Sequence, residues 1–124
     1  MSDRELDALV AERVMGCKPR HAYGRLDCSC KGGLHSERFE PEDLLRYSTT
    51  GDGMLAVIEA IVAKGWYGKL SVLHPSQRID GTRYRMTWTP LGNDENYYMD
   101  PYGEAESLPR AVCLAALKAV GVEV

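Results

Sequence analysis

Residues 66–89, WYGKLSVLHPSQRIDGTRYRMTWT, decide the fold. From Trp66 to His74 the pattern has a period of two, with Leu70 and Val72 on one face, which is the signature of a strand with one side packed. From Thr82 to Thr89 it returns: Tyr84, Met86 and Trp88 alternate with Arg83, Arg85 and Thr87, separating a packed face from a wet one. Asp80-Gly81 supplies turn chemistry between the two. A further short strand is expected around Asn96–Asp100, between Gly92-Asn93-Asp94 and Pro101. The stretch therefore reads as a small antiparallel meander.

Helical periodicity surrounds it. Residues 3–15 carry Leu6, Leu9, Val10 and Val14 on one stripe, Ser2 and Glu5 stand in the capping-box relation, and Gly16 marks the stop. A second helix is expected from Met54, Leu55, Ile58, Ile61 and Val62, with Ser48, Thr49 and Thr50 as candidate caps and Gly65 at its end. The last spans roughly 108–120, with Ser107 as N-cap, Pro109 in the first turn and Gly121 beyond the end. From Ala111 to Val120 only Lys118 is polar, so this helix needs cover on more than one side, from the sheet and a neighbouring helix or from a second subunit. The expectation is an α+β fold, a sheet of about three to four antiparallel strands flanked by three helices in an α-β-α sandwich.

A length of 124 residues, 44% hydrophobic and 27% charged, suits one domain, 1–124, with an unperiodic Cys/His-rich insert at about 17–47. The net charge of −3 and pI near 5.6 give no footprint for duplex nucleic acid or an anionic membrane surface. No apolar run approaches the roughly 20 residues that cross a bilayer, and the start has no signal-sequence pattern, so the expected location is the cytoplasm. Cysteines there stay reduced, and their spacing is read as metal site or core.

Three stretches carry a resemblance: Leu6 to Gly16, Tyr47-Ser-Thr-Thr50, and Pro109-Arg-Ala-Val-Cys-Leu-Ala-Ala-Leu-Lys-Ala-Val-Gly121. In their order and spacing they resemble the phage ABA-sandwich family of accessory proteins. That resemblance implies an antiparallel sheet flanked by helices and a phage or prophage origin, and names no reaction. The layout, with the Pro-Arg-Ala start of the last helix, is also similar to phage anti-defence sponges (Thoeris anti-defence proteins), which sequester nucleotide immune signals.

Two constellations bear chemistry. Cys17, Cys28, Cys30 and His35 form a C-x10-C-x-C-x4-H arrangement in the segment that lacks periodicity, and three thiolates with an imidazole suit tetrahedral structural zinc. His21 could replace one ligand, and incidental thiols are the competing reading. Cys113 on the apolar last helix reads as core. The second constellation centres on Arg110, in the first turn of the last helix, where a cation opposes the dipole. A salt bridge to Glu104 or Glu106 accounts for it, and so does a bound anion lying between the guanidinium and the helix N–H groups. Arg83 and Arg85, with Asn96 and the aromatic surfaces of Tyr97 and Tyr98, would complete a pocket for a nucleotide-like ligand.

No nucleophile elbow, zinc-protease motif, P-loop or dinucleotide fingerprint occurs, so the chain reads as a non-enzymatic, homo-oligomeric binder of an anionic small molecule such as a cyclic nucleotide or ADP-ribose-type signal. A zinc-stabilised module that binds a host or phage protein is the alternative. On the metal reading, protein purified without chelator should carry one zinc per chain by elemental analysis, and Cys28→Ser with Cys30→Ser should abolish it and lower the melting temperature. Unchanged metal content and melting would make the cysteines incidental.

Overall fold

In the computed structural model, which describes residues 2–16, 20–22, 25–27, 46–77, 81–96 and 99–124, the element order is α1 (Asp3–Arg13), β1 (Arg20–Ala22), β2 (Arg25–Asp27), α2 (Gly51–Ala63), β3 (Trp66–Val72), β4 (Tyr84–Pro90), β5 (Tyr102–Ala105) and α3 (Leu108–Ala119). The fold is α+β, as expected. β3, β4 and β5 form a three-stranded antiparallel meander in which Leu70 pairs with Met86 and Met86 with Gly103. β1 and β2 form a separate hairpin with Arg20 opposite Asp27. Strands of three residues are too short to show a period, so this pair leaves no pattern in the sequence.

The third strand lies further along than expected. Asn96, Met99 and Asp100 do not form it: the N–H groups of Met99 and Asp100 both bond back to Asn96 O. The side chain of Asp100 accepts from Thr89 Oγ1 and from Asn96 N, each at 2.8 Å, so these polar groups are satisfied locally rather than on a ladder. Pairing begins at Tyr102, after Pro101.

α1 starts at Ser2, whose side chain accepts from Glu5 N at 3.2 Å, and α2 at Thr50, which accepts from Gly53 N at 3.1 Å. The buried stripe of α2 is Gly53, Val57 and Ile61, whereas Leu55 and Val62, expected to share the packed face, are exposed. α3 packs on the sheet face formed by Met86, Trp88, Gly103 and Ala105, and α2 covers the β3 side of that face while touching α3. α1 lies against α3. The other face of the sheet carries Tyr67, Lys69, Arg85, Thr87, Tyr102 and Glu104.

Ala111, Val112, Cys113, Ala115, Ala116 and Leu117 of α3 are all buried within the one chain. Sheet, α1 and α2 supply the cover, the first of the two alternatives that so apolar a helix allows. The fit is tightest at Gly103, where a Cβ would come within 2.5 Å of Ala115 N and 2.6 Å of Ala111 O. Only glycine lets the strand backbone approach the helix so closely. Among the described residues no helix is long and apolar enough to cross a membrane.

One buried polar contact joins α1 to the start of α2. Asp7, fully buried, accepts from Ser48 N at 2.8 Å and from Ser48 Oγ at 2.7 Å through one oxygen, and its other oxygen lies 3.8 Å from Arg4 Nη1. Ser48, a candidate cap from sequence, thus serves a tertiary contact and leaves capping to Thr50. Removing one partner of a buried hydrogen bond strands the other, at a cost of about 1–3 kcal/mol. Asp7→Ala is therefore expected to lower unfolding free energy by roughly that amount in a urea titration, while Thr49→Ala, on an exposed neighbour, leaves it unchanged. Equal effects would remove the special standing of the Asp7–Ser48 pair.

Candidate functional site

The sequence that makes α3 also shapes what lies before it. Ser107 takes the N-cap position in extended conformation (φ −114°, ψ 149°), but its side chain makes no capping bond, and Pro109 follows in the first turn. A helix beginning in this way presents the positive end of its dipole without a side-chain acceptor from the cap, although Pro109 itself contributes no N–H. This end opens on a groove of about 660 Å³ lined by Ser2, Asp3, Thr82, Glu104, Glu106 and Arg110. A second hollow of about 540 Å³, lined by Gly81, Arg83, Glu106 and Ser107, shares two of its residues.

Arg110 finds an anion, though neither of those expected. Its Nη1 donates to Asp3 Oδ1 at 2.6 Å, joining the first turn of α3 to the first turn of α1. Glu104, on the outer sheet face, is instead engaged by Arg85, whose Nε donates to Glu104 Oε1 at 2.6 Å and whose Nη2 also reaches that oxygen. The Arg85 guanidinium carbon lies 5.2 Å from the Tyr102 ring centroid, and Lys118 Nζ lies 4.9 Å from it, so two cations approach the one ring.

The expected ligand-binding residues separate accordingly. Arg110 and Arg83 line adjoining hollows, and Arg85 stands across β5 with its guanidinium committed to Glu104 and Tyr102. Asn96 is tied through Asp100 to Thr89, and Thr89 lies at the other end of β4, six residues along from Arg83 and so roughly 20 Å from it. Trp88, on the packed face of β4, is fully buried core. Tyr97 and Tyr98 lie outside the described residues, as do Cys17, Cys28, Cys30 and His35, and of His21 only the backbone is described. Among the described residues no group of three or more His, Cys, Asp or Glu is placed to hold a metal ion.

Asp3 and Thr82 join the site without having been singled out from sequence. Asp3 reads there as a first-turn acid favourable to the α1 dipole, and nothing local shows that it faces an arginine 107 positions away. One turn beyond Arg110, Cys113 is fully buried, as its place on the apolar stripe suggested. Burial pushes its thiol well above the usual range, the nearby Asp7 acts in the same direction, and Arg110 opposes both.

No family model matches the chain, and no curated protein matches it. Among solved structures it is similar to a phage protein from Bacillus cereus, at 19% sequence identity, over 100% of this chain and 92% of that one, with a TM-score of 0.66. The likeness is one of fold.

The thiol environment has a direct consequence. The thiolate is the reactive form, and both burial and the raised pKa keep Cys113 protonated and covered. Alkylation of the native protein at pH 8, mapped by mass spectrometry, should leave Cys113 unmodified until denaturant is added. Labelling at the rate of an exposed thiol would show that α3 opens readily from the sheet.

Proposed function

We propose that this is a phage-encoded, non-enzymatic binding protein that sequesters an anionic small molecule of the cyclic-nucleotide or ADP-ribose type at the start of α3. The observation that carries this reading is the conjunction of a helix N-terminus without a side-chain cap and the Arg110 guanidinium in one solvent-filled groove, with Arg83 in the adjoining hollow. Backbone N–H groups at a helix start, together with a planar guanidinium, suit phosphate oxygens. The fold shared with a Bacillus cereus phage protein supports the origin, and the ligand class follows from the sequence resemblance to nucleotide sponges together with the groove at Arg110.

The carboxylates in the groove refine the mechanism. Glu104 is neutralised by Arg85, and Asp3 occupies Arg110 as a built-in counter-anion. An incoming phosphate displaces Asp3 from the guanidinium, so binding is an exchange of one anion for another. The held ion pair keeps Arg110 in place before the ligand arrives and sets a modest cost on capture. Exposed pairs of this kind contribute only about 0.2–1 kcal/mol, which a phosphate bound by two groups exceeds.

A second reading, a zinc-stabilised module that binds a host or phage protein, is favoured by two observations. Tyr102 stands exposed beside Arg85 and Lys118 on the outer sheet face, as an interface anchor does. The pairing of Arg20 with Asp27 also brings together two positions whose sequence neighbours, Cys17 on one side and Cys28 and Cys30 on the other, are the proposed zinc ligands.

Titration calorimetry with ADP-ribose, cyclic ADP-ribose and cyclic dinucleotides tests the first reading. One of these should bind and be recovered chemically unchanged, and at 100 times its Kd it should stabilise the fold by about 2.7 kcal/mol. Arg110→Lys should weaken it about tenfold through loss of the planar fork, whereas Asp3→Asn should tighten it by removing the competitor. Absence of binding across the panel, or equal affinity in Arg110→Ala, would favour the protein-binding reading.

A further inference from the structure

The side of the molecule away from the α3 groove has its own unfinished structure. β3 is an edge strand: β4 pairs with one side of it, and among the described residues nothing pairs with the other. The ladder shows which groups are left. Leu73 N donates to Arg83 O at 2.7 Å and Leu91 N to Gly65 O at 2.8 Å. In an antiparallel ladder the bonded positions alternate, so Tyr67, Lys69 and Ser71 spend their backbone groups on β4. Trp66, Gly68, Leu70 and Val72 therefore turn their N–H and C=O groups to the open edge.

Those same residues share the helix-covered face, and the surface beside the edge is apolar. Leu70 is 47% exposed and Val72 69%, and on α2 Leu55 is 53% and Val62 50% exposed. Leu55 and Val62 are two turns apart and lie on one side of α2. Val62 and Leu70 both line an apolar hollow of about 310 Å³, together with Met86 and Trp88. An open strand edge and an exposed helical stripe thus lie side by side, which is the kind of surface that marks an interaction site.

We propose that β3 pairs antiparallel with β3 of a second copy, about a two-fold axis at Leu70, forming a continuous six-stranded sheet with α2 packed against α2 of the partner. The register follows from the residues. Centring on Leu70 sets Val72 opposite Gly68, the one β3 position without a side chain, where a Cβ would run into Met86 and Trp88. On the outer face Lys69 falls opposite Ser71, so no like charges meet. Every outward-turned group of residues 68, 70 and 72 then has a partner.

The helical stripe is what selects a second copy over a lone peptide. An added strand would satisfy the edge and leave Leu55 and Val62 in water. A copy related by a two-fold axis perpendicular to the sheet keeps its helices on the same side and brings its own Leu55–Val62 stripe against this one, the self-complementary contact of an isologous dimer. The pairing holds whether or not the groove at α3 takes an anion, since the two lie on different parts of the chain.

Light scattering on the full chain at micromolar concentration should give twice the 13.8 kDa chain mass. Val62→Glu with Leu70→Lys, at two half-exposed sites, should return the single-chain mass with circular dichroism and melting cooperativity kept. The register is read separately: residues opposite each other in a bonded pair have Cα atoms about 5.5 Å apart, within disulfide range. Leu70→Cys should therefore cross-link to a dimer under mild oxidation where wild type and Leu91→Cys do not. A monomeric wild type overturns the proposal whatever else covers the edge, and so does a dimer that survives the double substitution or a Leu70→Cys chain that fails to cross-link.

Discussion

The close seat of α3 on β5 is the constraint on which the rest of this structure depends. At Gly103 the strand backbone lies so near the helix that a methyl group would collide with Ala111 O and Ala115 N. That proximity lets the small side chains of α3 reach the sheet on one side while the helix still meets α1 and α2 on the others. A helix rich in alanine buries little area per residue, and it becomes a core element only if its neighbours come to it. The sheet does so through glycine, and the remaining helices do so through Leu6, Val10, Val57 and Ile61.

Seating α3 in this way also fixes where its first turn emerges. Arg110 is carried to the start of α1, where Asp3 meets it, and Cys113 is carried into the core beside Asp7. The two aspartates of α1 thus do different work four residues apart. Asp3, at the rim, balances a guanidinium that solvent can reach. Asp7, in the interior, holds the backbone and hydroxyl of Ser48 and so joins α1 to the segment leading into α2. The groove at α3 is built by the same contacts that hold the helices together, which ties its shape to the stability of the fold.

Charge and apolar surface are divided between the two ends of the sheet. Around β5, cations and carboxylates interleave: Arg85 with Glu104, Arg85 and Lys118 on Tyr102, Arg110 with Asp3. Around β3 the exposed residues of the covered face are aliphatic, and Lys69, on the outer face, pairs with Glu95. A polar groove suits a small charged ligand, whose binding depends on a few directed bonds. An aliphatic strand edge suits another strand, whose binding depends on a ladder and on area removed from water.

What the sequence determined by itself was periodicity and its punctuation: three helices from their stripes and caps, two strands from alternation, the α+β class from their order, and Cys113 as core. These are local properties, set by residues within a few positions of one another. Tertiary structure decided what depends on partners distant in the chain. The third strand lies at 102–105 because Met86 and Tyr84 accept Gly103 and Ala105 as neighbours, while Met99 and Asp100 turn their N–H groups back to Asn96 O. The α2 stripe turned inward is Val57 and Ile61 rather than Leu55 and Val62, because helical periodicity leaves open which of two apolar stripes meets the sheet. Arg110 was visible as a cation in an unusual place, but its partner was not. Glu104 and Glu106 are near in sequence and Asp3 is 107 residues away, and only the packing of α1 on α3 makes the distant carboxylate the close one.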